Sequence, residues 1–367
     1  AVGGVVASLS LAVALTVMVA SFRGSVMQWL DAVLPAPLYL RSALYAAGGD
    51  AALLPATLAR DVARLPGVAQ VEPLRASPLQ IDPARPALTL LARPLGNDPA
   101  RRLPLVDAAL PVPAGHIGIY ISEAVVDLYG LRPGMGWPAL SQSFSAPGQA
   151  GQALTARFFI AGVWRDYARQ AGAVALDQTD YERLTGDARP SDLALWPQAG
   201  TDPAALRQAI EALLPREAAA GSAARLEFVS ASAIRARSLH VFDRSFAVTY
   251  WLQAVAIGIG LFGVAASFSA QVLARRKEFG LLAHLGLTRR QILAVVAGEG
   301  AAWTLVGALA GLALGLAVAV VLVHVVNPQS FHWTMDLRAP WGRLLLLCAA
   351  AWLSGRPLLG WIGYARR

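Results

Sequence analysis

Polar residues all but vanish from four stretches of the chain. Ala1–Ala20 and Phe246–Leu273 carry no charge. Ile292–Val326 carries one, Glu299. Trp341–Leu353 is shorter and has Arg343 near its start. About 20 apolar residues in helix cross a hydrocarbon core, so the first three runs predict transmembrane helices. The third is long enough to tilt. The fourth spans only if Arg343 snorkels to the membrane surface and Leu358–Ile362 extends it. A signal-peptide reading of the first run needs a basic n-region, which the chain lacks. The chain opens on this helix without a Met, so it is expected to be a piece of a longer protein.

Between the first two runs the pattern turns mixed. Leu53–Leu65 has helical spacing and ends at Pro66-Gly67, a stop signal. Strands are predicted at Val68–Val71, Ala87–Leu91, Gly118–Ile121, Ala156–Trp164, Val174–Leu176 and Ala224–Val229. A short helix is predicted over Ser122–Tyr129, with Ser122 as N-cap and Gly130 as C′. Another is predicted over Asp202–Leu214, with Asp202 as N-cap and Pro203 at N1. Gln142–Gly151 reads as a polar loop.

Composition fits this division. The 367 residues are 56% hydrophobic and only 15% charged, against roughly 25% charged in a soluble domain. Residues 24–243 hold 19 Arg against 20 Asp and Glu, so the net charge of +8 belongs to the flanks. Positive charge beside apolar runs is a membrane-topology signal and excludes a nucleic-acid face as the main reading. Arg275, Arg276, Lys277, Arg289 and Arg290 fall between the second and third runs, which places that loop in the cytoplasm. The predicted fold is an α-helical membrane protein with four transmembrane helices and a large α/β extracytoplasmic domain inserted between helices 1 and 2. Its segments are helix 1 (1–23), the outer domain (24–243), helix 2 (244–274), a cytoplasmic segment (275–291), helix 3 (292–326), an outer loop (327–340), helix 4 (341–363) and a tail (364–367).

Catalytic chemistry is hard to find. Cys348 is the one cysteine, which excludes a disulfide framework within the chain and a multi-cysteine metal site. The five histidines have no zinc spacing. His116 reads as a turn residue, and Trp164-Arg165-Asp166-Tyr167 as a strand-end turn. No active site, metal or cofactor is expected.

The loop is the most specific feature. Phe279, Leu282, Ala283 and Gly286 share one helical face, which Leu281 and Leu285 widen. Thr288 and Gln291 form a T-x-x-Q capping box that opens the next helix. The residues leave two readings of this amphipathic segment: an interfacial helix on lipid, or a docking helix for a cytoplasmic partner. Glu299, inside a span, costs roughly 3 kcal/mol on insertion scales, so it is expected to face protein or water and to pair with a cation or bond backbone. The Gly307-x-x-x-Gly311-x-x-x-Gly315 run admits a close helix, either within the protomer or at a dimer seam.

Arg275–Gly315 resembles the FtsX-like permease domain of ABC transporters, the group that includes MacB and the lipoprotein-releasing permeases. The resemblance lies in Arg275-Arg276-Lys277-Glu278, Leu282, Gly286, Thr288 and Ile292, then Glu299 and the three glycines. Ile119–Ala124 followed by Leu128–Gly134 resembles the strand, helix and turn of the family's extracytoplasmic domain. The chain departs from the family at Ser354-Gly355-Arg356-Pro357, which interrupts the last helix. The resemblance implies that the cytoplasmic loop is a coupling helix seated in an ABC ATPase. That assigns ATPase coupling to Arg275, Arg276, Lys277, Glu278, Phe279, Leu282, Leu285, Gly286, Thr288, Arg289 and Arg290. The chain has no G-x-x-x-x-G-K-[ST] motif, so ATP hydrolysis is expected from a separate subunit. The further implied partners are the lipid membrane, a second permease half or protomer, and a periplasmic protein. The implied setting is a bacterial inner membrane, and the implied cargo a lipid, lipoprotein or other amphiphile; the alternative is a regulator of an envelope enzyme or a sensor.

Overall fold

A computed structural model of the chain describes residues 2–42, 53–144, 156–213, 226–275, 278, 281, 284 and 287–354. It forms two compact units. One comprises residues 26–238 and 331–333, the other residues 1–25, 239–330 and 334–367.

The first unit is built on eight strands: β1 (Leu38–Ser42), β2 (Val68–Leu79), β3 (Leu88–Arg93), β4 (Ile117–Ser122), β5 (Phe158–Trp164), β6 (Ala173–Asp177), β7 (Asp192–Pro197) and β8 (Leu226–Ser230). They lie in the order β5-β4-β6-β3-β2-β7-β1-β8. The β3/β6 and β4/β5 pairs are parallel and the rest antiparallel. β2 is longer than the predicted Val68–Val71 because Pro73 sits where it changes partners. Residues 68–74 pair with β7, and 75–79 with β3. A proline there takes no donor from a ladder that is ending. β1 and β7 were not predicted. Both are five- or six-residue segments bounded by prolines, Pro37 before β1, and Pro190 and Pro197 around β7.

After the opening helix α1 (Val2–Val33), five short α-helices belong to this unit among the described residues: α2 (Leu58–Ala63), α3 (Glu123–Tyr129), α4 (Pro138–Ser143), α5 (Gln178–Thr185) and α6 (Pro203–Glu211). One core joins Ile119, Ile121, Phe158, Ile160, Val174 and Leu176 to Val125, Leu140 and Tyr181 of α3, α4 and α5. A second joins Leu40, Leu193 and Leu195 to Leu58, Val62, Leu206 and Ile210 of α2 and α6. Ala194, between two of those leucines, points to the other face, where it packs with Tyr39, Leu34, Ala231 and Ile234.

α2 starts at Leu58 rather than Leu53, after a turn in which the Leu58 N–H donates to the Pro55 carbonyl. It ends at Ala63, two residues before the predicted Leu65, and Gly67, with φ 88°, follows in the turn to β2. α6 has the predicted cap: Asp202 accepts from the N–H groups of Ala204 and Ala205 at 3.1 and 3.3 Å. Gly130 ends α3 in the left-handed conformation, φ 65°. Ser122 departs from expectation. It occupies the N-cap position of α3 without a side-chain cap, because its Oγ accepts instead from the Ala173 N–H at 2.9 Å. This bond is buried and ties β4 to β6. Ser122→Ala is expected to destabilise the protein by about 1–3 kcal/mol, since it strands a buried N–H. A melting temperature equal to wild type would contradict this.

The second unit is helical. α1 contributes its first part, and α7 (Ala231–Ala274) runs 44 residues without a break. α8 (Arg289–Val321) continues through a π-turn at Leu322–Val326 into α9 (Asn327–Phe331), and α10 (Trp341–Ser354) follows. α1 therefore passes the predicted end at residue 23, where Gly24 does not break it, and α7 starts 13 residues before the predicted 244, over a stretch that holds neither Gly nor Pro. The segment expected as an outer loop likewise opens as helix α9, which stops at His332, φ 57°. Among the described residues two helices are long and apolar enough to cross a membrane, Gly3–Val33 and Gly298–Ser330. Phe246–Gly260 and Trp341–Leu353 are shorter apolar helices. Leu9, Val13, Val17, Ala308, Ala319 and Leu344 form this unit's core.

Candidate functional site

The segment between α7 and α8 is held at both ends. Arg275 directly follows α7, and its Nη1 reaches both Glu299 carboxylate oxygens at 3.0 and 3.1 Å. This is a cation partner of the kind expected for Glu299. Glu299 lies ten residues into α8, so Arg275 is level with a point about 15 Å along that helix from its start. At the other end the capping box is closed: the Gln291 N–H donates to Thr288 Oγ1 at 3.4 Å, and the Thr288 N–H donates to Gln291 Oε1 at 2.8 Å. Glu278, Leu281 and His284 are helical, and Leu281 is 67% exposed. Arg290 is exposed, while Arg289 opens α8. Arg276, Lys277, Phe279, Leu282, Leu285 and Gly286 lie outside the described residues.

The glycine run of α8 faces α1. A Cβ on Gly315 would sit 2.6 Å from Val13 Cβ and 2.7 Å from the Ser10 carbonyl oxygen. One on Gly311 would sit 3.1 Å from Leu9 Cβ and 3.2 Å from the Val6 carbonyl oxygen. Gly307 is buried. Gly311 and Gly315 thus bring two helices of one chain together. On α7, a Cβ on Gly260 would collide with Ser8 of α1, while Gly258 and Gly263 have open space.

The sequence reading missed a polar contact between α1 and α7. Gln253 Nε2 donates to Thr16 Oγ1 at 2.7 Å, and Thr16 donates to the Ala12 carbonyl at 2.7 Å. Gln253, well inside the charge-free run 246–273, was the available signal. It also missed Glu72, a buried carboxylate in the sheet unit that Arg102 engages through two nitrogens at 2.8 Å each. Trp164–Tyr167 is a strand-end turn as read, with Asp166 buried and paired to Arg169 at 2.9 Å. Tyr167 stacks edge-on against Trp29 and Trp333. His116 follows Gly115, φ 77°, and its N–H closes a turn onto the Pro113 carbonyl.

Asp177 ends β6 and caps α5. Burial pushes its carboxyl up, but the N–H groups of Leu95, Thr179 and Gly96 outweigh that and hold it below the ordinary 3.8. A depressed folded-state value gives stability that is complete above the unfolded value and is lost as pH falls through the folded one. Asp177→Asn is thus expected to be less stable than wild type at pH 7, with the gap closing below about pH 4. A gap independent of pH would contradict this.

Residues 252–362 match the family described as FtsX-like permease C-terminal. Over 374 aligned positions, covering 98% of this chain, it is 26% identical to an uncharacterized ABC transporter permease protein of Mycobacterium tuberculosis. The chain is thus similar to ABC transporter permeases, with the FtsX-like likeness confined to residues 252–362. The chain spans 41% of the length of that relative. Among solved structures, the periplasmic region of MacB from Actinobacillus actinomycetemcomitans aligns at 11% identity and a TM-score of 0.37, covering 57% of this chain and 94% of that one. The extracellular domain of the noncanonic ABC-type transporter YknZ from Gram-positive bacteria aligns at 14% identity and a TM-score of 0.35, covering 53% and 99%.

Proposed function

We propose that the chain is a permease part of an ABC transporter in a bacterial cytoplasmic membrane. Its four apolar segments cross the bilayer, with residues 26–238 on the outer face and residues 275–291 in the cytoplasm. That cytoplasmic segment seats a separate ATPase subunit. ATP-driven movement of the ATPase shifts the segment, and α7 carries the shift outward. At 1.5 Å per residue a 44-residue helix is about 66 Å long, enough to cross a bilayer and continue beyond it. The observation that carries the reading is the FtsX-like match over a region whose basic, amphipathic segment is fixed at one end by the Arg275–Glu299 pair and at the other by the Thr288 cap.

α7 also presents Trp251, Ile259 and Phe262, 74%, 68% and 76% exposed. Such a face belongs against lipid or another membrane helix, which supports a second permease half or protomer. An amphiphilic cargo, a lipid or lipoprotein, suits helices of this apolar character. Affinity capture of the intact protein from native membranes in mild detergent is expected to bring a P-loop ATPase with it. Folded, membrane-extracted protein that carries no ATPase would contradict the reading.

A further inference from the structure

Within the helical unit, α1, α7 and α10 leave a cleft of about 450 Å³ between them. Its lining changes character along the helices. Arg343, in the first turn of α10, and Tyr250, one turn before Gln253 on α7, supply polar groups at one end. Val19, Leu346 and Leu347 supply apolar wall. At the level of Gln253 its amide nitrogen already donates to Thr16 Oγ1 and the Ala12 carbonyl, so it is engaged within the protein.

Arg343 is the unusual member. Among the described residues Arg23 has Asp243 at 3.4 Å and Arg275 has Glu299 at 3.0 Å. No ion pair there engages Arg343, and no carboxylate lines the cleft. An exposed guanidinium beside an apolar cleft at the end of a membrane helix calls for an anion. Its planar fork matches phosphate oxygens, and it gives up hydration more readily than an ammonium does.

We propose that this cleft holds one anionic phospholipid of the outer leaflet. The phosphodiester lies on Arg343 and the Tyr250 hydroxyl, and one acyl chain follows Val19, Leu346 and Leu347 inward. The volume suits a single ligand-sized segment, so the second chain stays in the bilayer. The missing carboxylate selects an anionic headgroup, since nothing in the lining meets the cation of a zwitterionic one. This inference rests on the reading that α1, α7 and α10 lie in the membrane.

The test is native mass spectrometry of the intact detergent-purified protein, titrated with palmitoyl-oleoyl phosphatidylglycerol or with phosphatidylcholine of the same chains. Wild type is expected to retain phosphatidylglycerol about fivefold better, the value of one arginine at a charged lipid surface. Arg343→Gln is expected to lose that preference while still binding both lipids. Leu347→Trp, which fills the apolar part, is expected to weaken both lipids. Equal retention by wild type, or a preference that Arg343→Gln keeps, overturns the lipid site. Alkaline carbonate extraction of the same membranes separates the two levels of failure. Protein that stays in the pellet but shows no preference refutes the cleft alone, and protein released into the supernatant refutes the membrane reading with it.

Discussion

Gly315→Leu is expected to remove most folded protein from the membrane fraction. At this position the α8 backbone meets α1 with no room for a side chain: even a Cβ would lie 2.6 Å from Val13 Cβ and 2.7 Å from the Ser10 carbonyl oxygen. Neither neighbour yields easily, because one is the root of a β-branched residue and the other is backbone. The helices must separate, and with them the packing of Leu9, Val13 and Val17 against Ala308, Ala319 and Leu344. Forced overpacking costs about 1–3 kcal/mol, and loss of the surrounding contacts puts this substitution at the upper end. Gly311→Ala is the internal comparison. Its Cβ would meet Leu9 at 3.1 Å and the Val6 carbonyl oxygen at 3.2 Å, distances that a few tenths of an ångström of movement relieve. Size-exclusion profiles and melting curves in detergent should rank wild type above Gly311→Ala and both well above Gly315→Leu. A Gly315→Leu protein with wild-type behaviour would refute the close approach of α1 and α8.

The double substitution Leu282→Glu/Gly286→Arg is expected to release the ATPase while leaving the protein folded. Phe279, Leu282, Ala283 and Gly286 share a helical face, and an apolar face that seats in a partner is intolerant of charge. A central anchor in such an interface is worth about 2 kcal/mol or more, so association should weaken by at least roughly thirtyfold. Arg289→Gln, at the first position of α8, should weaken it far less, because rim charges contribute little. If the double variant co-purifies with the ATPase as wild type does, residues 275–291 are not the docking segment.

Which parts of the molecule the sequence disclosed follows from how local each signal is. The Thr288–Gln291 box and the Asp202 cap involve neighbours three residues apart or fewer, and both formed as read. The Gly311 and Gly315 spacing marked a close approach but not its partner, which lies some 300 residues away on α1. Glu299 announced the need for a counter-charge, and only the fold shows that Arg275 meets it. Ser122 was misread because a distant N–H, that of Ala173, outcompeted the local cap. β1 and β7 are short, proline-bounded segments whose pairing is long-range, so their alternation alone did not distinguish them from loop. The cleft at Arg343 is formed by three helices that meet only in the fold. Helix ends were misplaced where apolarity stopped but helical propensity did not, as in α1 beyond residue 23 and α7 before residue 244.

A photo-crosslinker placed at Leu281 tests the central claim most directly. This residue is helical, lies in the segment between α7 and α8, and is 67% exposed. Benzoylphenylalanine incorporated there, with irradiation of intact cells and mass spectrometry of the adduct, reports what the segment touches. The account expects a covalent adduct with an ATPase bearing a P-loop, lost when the Leu282→Glu/Gly286→Arg changes are added. Adducts with lipid alone, from folded and membrane-embedded protein, would contradict it and leave the segment as a helix lying on the membrane surface.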